Sequence, residues 1–200
     1  MLDTISAKII DAMDSQHLLK HDSKAIYIYG LGLALYTFFS TAGLLLVGVA
    51  FSRSLETTLF IFTFYINQSF GGGFHASSHF RCFISMLLGV LHLLLSFLLS
   101  YNGFFYYLLF AGSFFILWFF PLVLHPNKKY LAKKAPQFIH RSRLVLLTEL
   151  TFFLICIFLK FPYNILQTLS VAMSFGALSR YIAVRGKKNL VFKYRKPYSS

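Results

Sequence analysis

The 200-residue sequence has few charged residues and very few acidic ones. Asp, Glu, Lys and Arg together make up 12% of the chain, whereas a soluble domain carries about 25%. This is too little charge to cover a surface that faces water. The hydrophobic fraction of 57% also excludes a disordered chain. We therefore predict an all-α integral membrane protein.

The shortage of acidic residues leaves a strong positive charge. Six Asp and Glu stand against 19 Lys and Arg, which gives a formal net charge of +13. In a soluble protein this excess would indicate nucleic-acid binding. Here the basic residues cluster between and after apolar stretches, which is typical of segments beside anionic lipid. The expected partner is the lipid bilayer, not nucleic acid. The two cysteines, Cys82 and Cys156, exclude a disulfide framework.

The apolar runs predict a single membrane domain of about six transmembrane helices over residues 26–183. A span needs about 20 apolar residues, so the second and fifth runs are short and imply tilt or local thinning of the bilayer. The six runs are Ile26–Phe51, Leu55–Phe70, Phe83–Ser100, Gly103–His125, Leu144–Leu159 and Tyr163–Ala183.

The segments outside these runs are amphipathic or basic. Within residues 1–25, apolar residues recur at helical spacing from Thr4 to Lys20, which predicts a helix lying on the membrane surface. A helix packed on the rest of the protein is the alternative. Placing the N-terminus inside gives the loop 126–143 and the tail 184–200 to the cytoplasm, where basic residues concentrate. Both termini are therefore predicted to be cytoplasmic.

The glycine-rich segment 67–82 is the candidate catalytic segment of the chain. Gly71, Gly72 and Gly73 end an apolar run, although each glycine costs a helix roughly 1 kcal/mol relative to alanine. Three glycines in a row are expected where the backbone turns sharply or another chain approaches closely. A plain flexible turn is the simpler alternative.

His75 and Cys82 follow these glycines and form a candidate catalytic pair. An imidazole that takes the thiol proton generates a nucleophilic thiolate near neutral pH, and Arg81 would favour the same thiolate. In a straight helix residues seven apart are separated by about 10.5 Å along the axis, so the chain must bend between them. A buried apolar cysteine and an interfacial histidine are the alternative.

Several nearby polar residues could support such a pair. A side-chain amide can hold an imidazole in one tautomer, which makes Asn67 and Gln68 candidate third members. The hydroxyls of Ser77 and Ser78 are candidate donors to an oxyanion. Glu149, the single carboxylate within the later runs, most plausibly forms a structural pair with Arg180, and a role in orienting His75 or binding substrate is the alternative.

A metal site is the competing interpretation of the same segment. His75, His79 and Cys82 have the spacing i, i+4, i+7 and could ligate zinc from one helix face. However, Ala76 occupies the position where the zinc-protease motif has glutamate, and no Asp or Glu occurs from Thr57 to Thr148. We expect neither a metal nor another cofactor.

The loop from Pro126 to Arg143 carries six basic residues and no acidic one. A solvated, lipid-proximal loop is one interpretation, and a receiver for an acidic peptide is the other. Its basic residues are Lys128, Lys129, Lys133, Lys134, Arg141 and Arg143.

Two motifs resemble the accessory gene regulator B (AgrB) family, the membrane cysteine endopeptidases of Gram-positive quorum sensing. The first is Gly71-Gly72-Gly73-Phe74-His75-Ala76 followed by Cys82, and the second is Pro121 with His125-Pro126-Asn127-Lys128. The resemblance covers roughly Tyr65 to Arg143. It implies a multi-pass protein of the bacterial cell membrane with its active site facing the cytoplasm.

The resemblance also implies a substrate and a mechanism. The substrate would be a short precursor peptide with an amphipathic N-terminal helix, a central cysteine and an acidic C-terminal tail, similar to AgrD. Cys82 would attack the peptide bond before the tail with His75 as general base, and the precursor's own cysteine would then attack the acyl-enzyme to give a cyclic thiolactone. Gly71, Gly72, Gly73, Arg81 and the four lysines of the basic loop would contact the peptide. A homodimer is implied as well.

Two other function classes stay open at this point. A membrane peptide transporter without proteolytic activity would use His75, Glu149 and Arg180 to line a path, and it should tolerate loss of the Cys82 thiol. A non-catalytic membrane partner would dock a peptide through its basic loop in a strongly salt-sensitive way.

Overall fold

The computed structural model of the chain describes residues 2–16, 24–73, 79–99, 102–120, 122–124, 135–185 and 190–192. The described part contains seven helices, so the all-helical prediction is confirmed, with two three-residue strands as the exception. The helices are α1 (Leu2–Ser15), α2 (Lys24–Ala50), α3 (Ser54–Gly71), α4 (His79–Leu98), α5 (Gly103–Phe119), α6 (Ala135–Phe158) and α7 (Tyr163–Arg185). The strands are β1 (Leu122–Leu124) and β2 (Leu190–Phe192).

The chain divides into two compact units, residues 1–47 and 48–200. In the first unit, helix α1 is amphipathic, as the sequence predicts. Lys24 at the start of α2 binds back to it, with Nζ 2.9 Å from a carboxylate oxygen of Asp11 and 3.0 Å from one of Asp14. One face of α1 exposes three large apolar side chains, those of Ile5, Ile9 and Met13. That stripe is typical of an interfacial helix.

Two of the described helices are long and apolar enough to cross a membrane, Lys24–Ala50 and Phe80–Leu98, and α5 is apolar but shorter. The surface carries many large apolar side chains, such as Phe119 at 69% and Phe158 at 85% exposure. Soluble proteins rarely expose apolar side chains in such number. This surface fits a chain whose outer face meets lipid.

The predicted fourth span is wrong at its C-terminal end. It was expected to reach His125, but α5 ends at Phe119. The reason is local: Phe120 precedes Pro121, a position that disfavours helix, and it has extended backbone with φ −70° and ψ 142°. Strand β1 follows and pairs antiparallel with β2, with Val123 opposite Val191. Part of the predicted basic tail is therefore a strand.

The fifth apolar run lies inside a longer helix. Helix α6 begins at Ala135 rather than Leu144 and has 24 residues, so the helix extends beyond the apolar run 144–159 on its N-terminal side. Pro136 is accommodated because its missing N–H is not needed in the first turn of a helix. The end of the predicted basic loop is consequently helical. Arg143 lies on α6, with its guanidinium carbon 5.1 Å from the centre of the Trp118 ring.

Helix α7 is the core of the second unit, and it packs against α3, α4, α5 and α6. Its buried positions include many small residues, which let neighbouring backbones approach closely. Six of these are Ser170, Ala172, Gly176, Ala177, Ser179 and Ala183. Cys156 of α6 is fully buried in an apolar cluster with α5 and α7. Cys156 is therefore a packing residue.

Candidate functional site

The three glycines end α3, and each meets a different neighbour. A Cβ at Gly71 would overlap the guanidinium of Arg180, and one at Gly72 would overlap the backbone carbonyl of Val123. Gly72 also has a φ of 66°, a left-handed conformation that side chains disfavour. A Cβ at Gly73 would overlap the side-chain amide of Gln68. Close approach of Arg180 and Val123 therefore explains Gly71 and Gly72, and the Gln68 side chain of the same helix explains Gly73, so the turn is not a simple flexible one.

Cys82 lies in the first turn of α4, half-buried and reduced. Arg81 beside it has an exposed side chain. His75, Ser77 and Ser78 lie outside the described residues, so the pairing of His75 with Cys82 stays a prediction. The four lysines of the basic loop, Lys128, Lys129, Lys133 and Lys134, also lie outside them.

Cys82 lines a cavity of about 280 Å³ between α3, α4 and α7. Helix α3 contributes Phe64, Tyr65 and Gln68, and α4 contributes Ser85, Met86 and Leu88 besides the cysteine. The wall from α7 consists of Phe175, Leu178, Ser179 and Ile182. No charged side chain of the described ranges lines this cavity, and its walls are mainly apolar.

Gln68 is the predicted amide that reaches this cavity. Its Nε2 donates a hydrogen bond of 2.8 Å to Oγ of Ser179, which joins α3 to α7. Its Oε1 is buried and accepts no hydrogen bond from the described residues. This oxygen lies against the backbone of Gly73, because a Cβ added there would overlap it.

Asn67 points elsewhere, because one step along a helix turns the side chain by about 100°. Its Nδ2 lies 2.8 and 3.0 Å from the two carboxylate oxygens of Glu149, and 3.2 Å from the backbone oxygen of Thr63. The side chain of Asn67 is almost fully buried. Of the two predicted support amides, the structure therefore brings only Gln68 to the cavity of Cys82.

Glu149 and Arg180 both contact the C-terminal part of α3, Glu149 through Asn67 and Arg180 at Gly71. The Arg180 side chain is 1% exposed and its Nη1 donates a 2.8 Å hydrogen bond to the backbone oxygen of Leu117. Its positive charge acts on the Glu149 carboxylate electrostatically. The predicted structural pair is therefore an electrostatic interaction only, and Asn67 is the direct hydrogen-bond partner of Glu149 that the sequence did not reveal.

The sequence prediction also missed the α7 wall of the cavity. Its four residues have the spacing i, i+3, i+4, i+7, which places them on one helix face. That periodicity is readable from the sequence. The sequence does not say which of several such faces turns toward Cys82, because α7 is buried on most of its sides.

The comparison with protein families is decisive. The family model for AgrB, accessory gene regulator B, matches residues 6–183. The chain belongs to the AgrB family. This confirms the resemblance drawn from the glycine, histidine and cysteine motif, and it associates the chain with accessory gene regulation.

Two curated relatives of the AgrB chain come from Clostridium perfringens. "Putative AgrB-like protein" of strain SM101 is 23% identical over 207 aligned residues, which cover 96% of this chain and 95% of the relative. "Putative AgrB-like protein 2" of strain 13 is 31% identical over 91 residues, covering 46% of this chain and 41% of the relative. No solved structure gives a significant match to the chain.

Proposed function

We propose that this AgrB-family protein is a membrane cysteine endopeptidase. It removes the C-terminal tail of a short autoinducing-peptide precursor and promotes cyclisation of the remaining segment to a thiolactone. The observation that carries the proposal is the position of Cys82. Cys82 lines the same cavity as Gln68, the side chain that packs against Gly73, and a peptide that enters this cavity can bring a carbonyl to the thiol.

The proposed chemistry uses only groups of the enzyme and the peptide. His75 takes the thiol proton, and the thiolate sulfur of Cys82 bonds to the carbonyl carbon before the tail. The carbon–nitrogen bond breaks, and the amine of the tail leaves with the proton from His75. The precursor's cysteine, deprotonated in turn, attacks the acyl-enzyme. One thioester replaces another, and Cys82 regains its proton.

The surroundings of Cys82 support this assignment over that of a plain packing cysteine. Cys156 shows what a packing cysteine looks like here, since it is fully buried within an apolar cluster. Cys82 is only half-buried and lines the same cavity as the polar residues Gln68 and Ser179. Gln68 is the support residue that we place at the site.

The membrane arrangement is part of the proposal. We propose six transmembrane helices with both termini in the cytoplasm, because basic residues concentrate on that side. The cytoplasmic side keeps thiols reduced, as a cysteine nucleophile needs. The basic segment with Lys128, Lys129, Lys133 and Lys134 would receive the acidic tail of the precursor, which is similar to AgrD.

The test is acyl transfer to Cys82. The full-length protein in phosphatidylcholine vesicles is incubated with a short peptide α-thioester, and the adduct is located by mass spectrometry. We expect acylation of Cys82 that neutral hydroxylamine reverses, absent in Cys82→Ala and at least tenfold slower in His75→Ala. Acylation no faster than that of free cysteine, unchanged in His75→Ala, would contradict the proposal and favour a peptide transporter.

A further inference from the structure

The cavity beside Cys82 has the size and polarity of a side-chain pocket. Its volume is about 280 Å³, whereas an apolar protein cavity of about 150 Å³ already holds a benzene ring. There is consequently room for one phenyl, leucyl or methionyl side chain together with its connection to a peptide backbone. The space is too small for a long peptide segment.

We propose that this cavity is a specificity pocket for a large apolar side chain of the substrate peptide. The side chain belongs to the residue whose carbonyl carbon the Cys82 thiolate attacks. This inference rests on the proposed endopeptidase function and names the substrate class at its cleaved bond. It follows from connectivity: two covalent bonds link the sulfur to the Cα of that residue, so its side chain must lie near the cavity wall that holds Cys82.

The lining decides which side chains fit. Phe64, Met86 and Phe175 present apolar groups, and the described lining residues include no charge that would pair with an acidic or basic side chain. Placing an unpaired charge in apolar surroundings is strongly unfavourable. The pocket therefore selects against Asp and Lys at this position, although the proposed tail beyond the cleaved bond is acidic.

The experiment measures the side-chain preference of Cys82 directly. The probes are acetyl-tripeptide chloromethyl ketones that differ only in the residue next to the ketone, which is Phe, Leu, Ala, Lys or Asp. The full-length protein is held in phosphatidylcholine vesicles, and alkylation of Cys82 is followed by mass spectrometry. We expect the Phe and Leu probes to react at least tenfold faster than the Lys and Asp probes.

A substitution that fills the cavity shows whether the cavity causes the preference of Cys82 for apolar probes. Ser85 lines the cavity one turn after Cys82, so Ser85→Phe places a ring inside it. Leu91→Phe adds a ring at an exposed position of the same helix and serves as the matched control. We expect Ser85→Phe to slow the Phe probe at least tenfold more than the Ala probe, and Leu91→Phe to leave their ratio unchanged.

Two results would contradict the proposed specificity pocket, and a third would contradict the proposed endopeptidase function as well. Equal rates of Cys82 alkylation by all probes would contradict the specificity pocket and leave the endopeptidase proposal intact. A preference for apolar probes that Ser85→Phe does not change would reflect partition into the bilayer and likewise remove the pocket. If iodoacetamide alkylates Cys82 but no peptide probe does, the endopeptidase proposal fails together with the pocket.

Discussion

The guanidinium of Arg180 lies so close to the backbone of Gly71 that a side chain at Gly71 would overlap it. Arg180 is anchored in turn by its hydrogen bond to the backbone oxygen of Leu117. A residue of α7 thereby connects the C-terminal ends of α3 and α5. The glycine turn leaves α3 at this point and leads toward Cys82. The buried arginine accordingly fixes where the proposed catalytic segment begins.

Gly71→Ala should destabilise the protein because its methyl group would displace the Arg180 guanidinium. Overpacking of this kind costs about 1–3 kcal/mol, so the free energy of unfolding should fall by that amount. Thermal unfolding in detergent, followed through the fluorescence of Trp118, measures it. Gly112→Ala is the matched control, because Gly112 has no neighbouring atom within 4 Å of an added Cβ. Equal stabilities of the two variants would contradict the close contact.

Asn67 and Glu149 should contribute to stability as a coupled pair. Asn67→Ala leaves a buried carboxylate short of two hydrogen bonds, which should lower the free energy of unfolding by about 1–3 kcal/mol. A double-mutant cycle with Glu149→Gln should give a coupling of about 1 kcal/mol or more, since the two side chains are in direct contact. Additive effects of the two substitutions would show that the contact does not stabilise the protein.

The two cysteines should differ sharply in accessibility. Iodoacetamide should label Cys82 in the folded protein and leave Cys156 unlabelled, because the Cys156 side chain is fully buried. Both should react after denaturation in guanidinium chloride. Peptide mass spectrometry separates the two sites. Labelling of Cys156 in the folded protein at the rate of Cys82 would contradict the packing of α5, α6 and α7 around it.

Replacing Lys128, Lys129, Lys133 and Lys134 together by Gln should weaken binding of an acidic peptide. A fluorescent hexapeptide of Asp and Glu is the probe, and fluorescence anisotropy with the protein in uncharged vesicles is the readout. We expect at least tenfold weaker binding for the variant, and for the unmodified protein a marked loss of affinity between 50 and 500 mM salt, since salt screens exposed charges. Salt-independent binding would contradict the proposed role of this segment.

Much of the helical layout is readable from the sequence, because long apolar runs have few alternatives. The bounds of the second and sixth apolar runs coincide closely with the helices α3 and α7. The errors in the predicted helix boundaries lie next to prolines. Helix α5 ends before Pro121, and α6 begins at Ala135, so that Pro136 lies in its first turn. The pairing of β1 with β2 was missed because three-residue strands carry too short a pattern to recognise.

The candidate site was predictable in its residue types but not in its contacts. The glycine motif indicates a special turn, yet its reasons are Arg180 and Val123, which lie far along the chain. Asn67 and Gln68 look equivalent in the sequence, and only the rotation of α3 sends one to Glu149 and the other to the cavity. Contacts of this kind depend on how distant helices pack, which local periodicity does not encode.

The most direct test of the account is the reactivity of Cys82 with and without His75. The second-order rate of iodoacetamide alkylation of Cys82 is measured at pH 7 in the full-length protein, in His75→Ala and in the matched control His79→Ala. If His75 activates the thiol, the rate should fall at least tenfold in His75→Ala and stay within twofold in His79→Ala. Equal rates in all three proteins would contradict a Cys82–His75 pair.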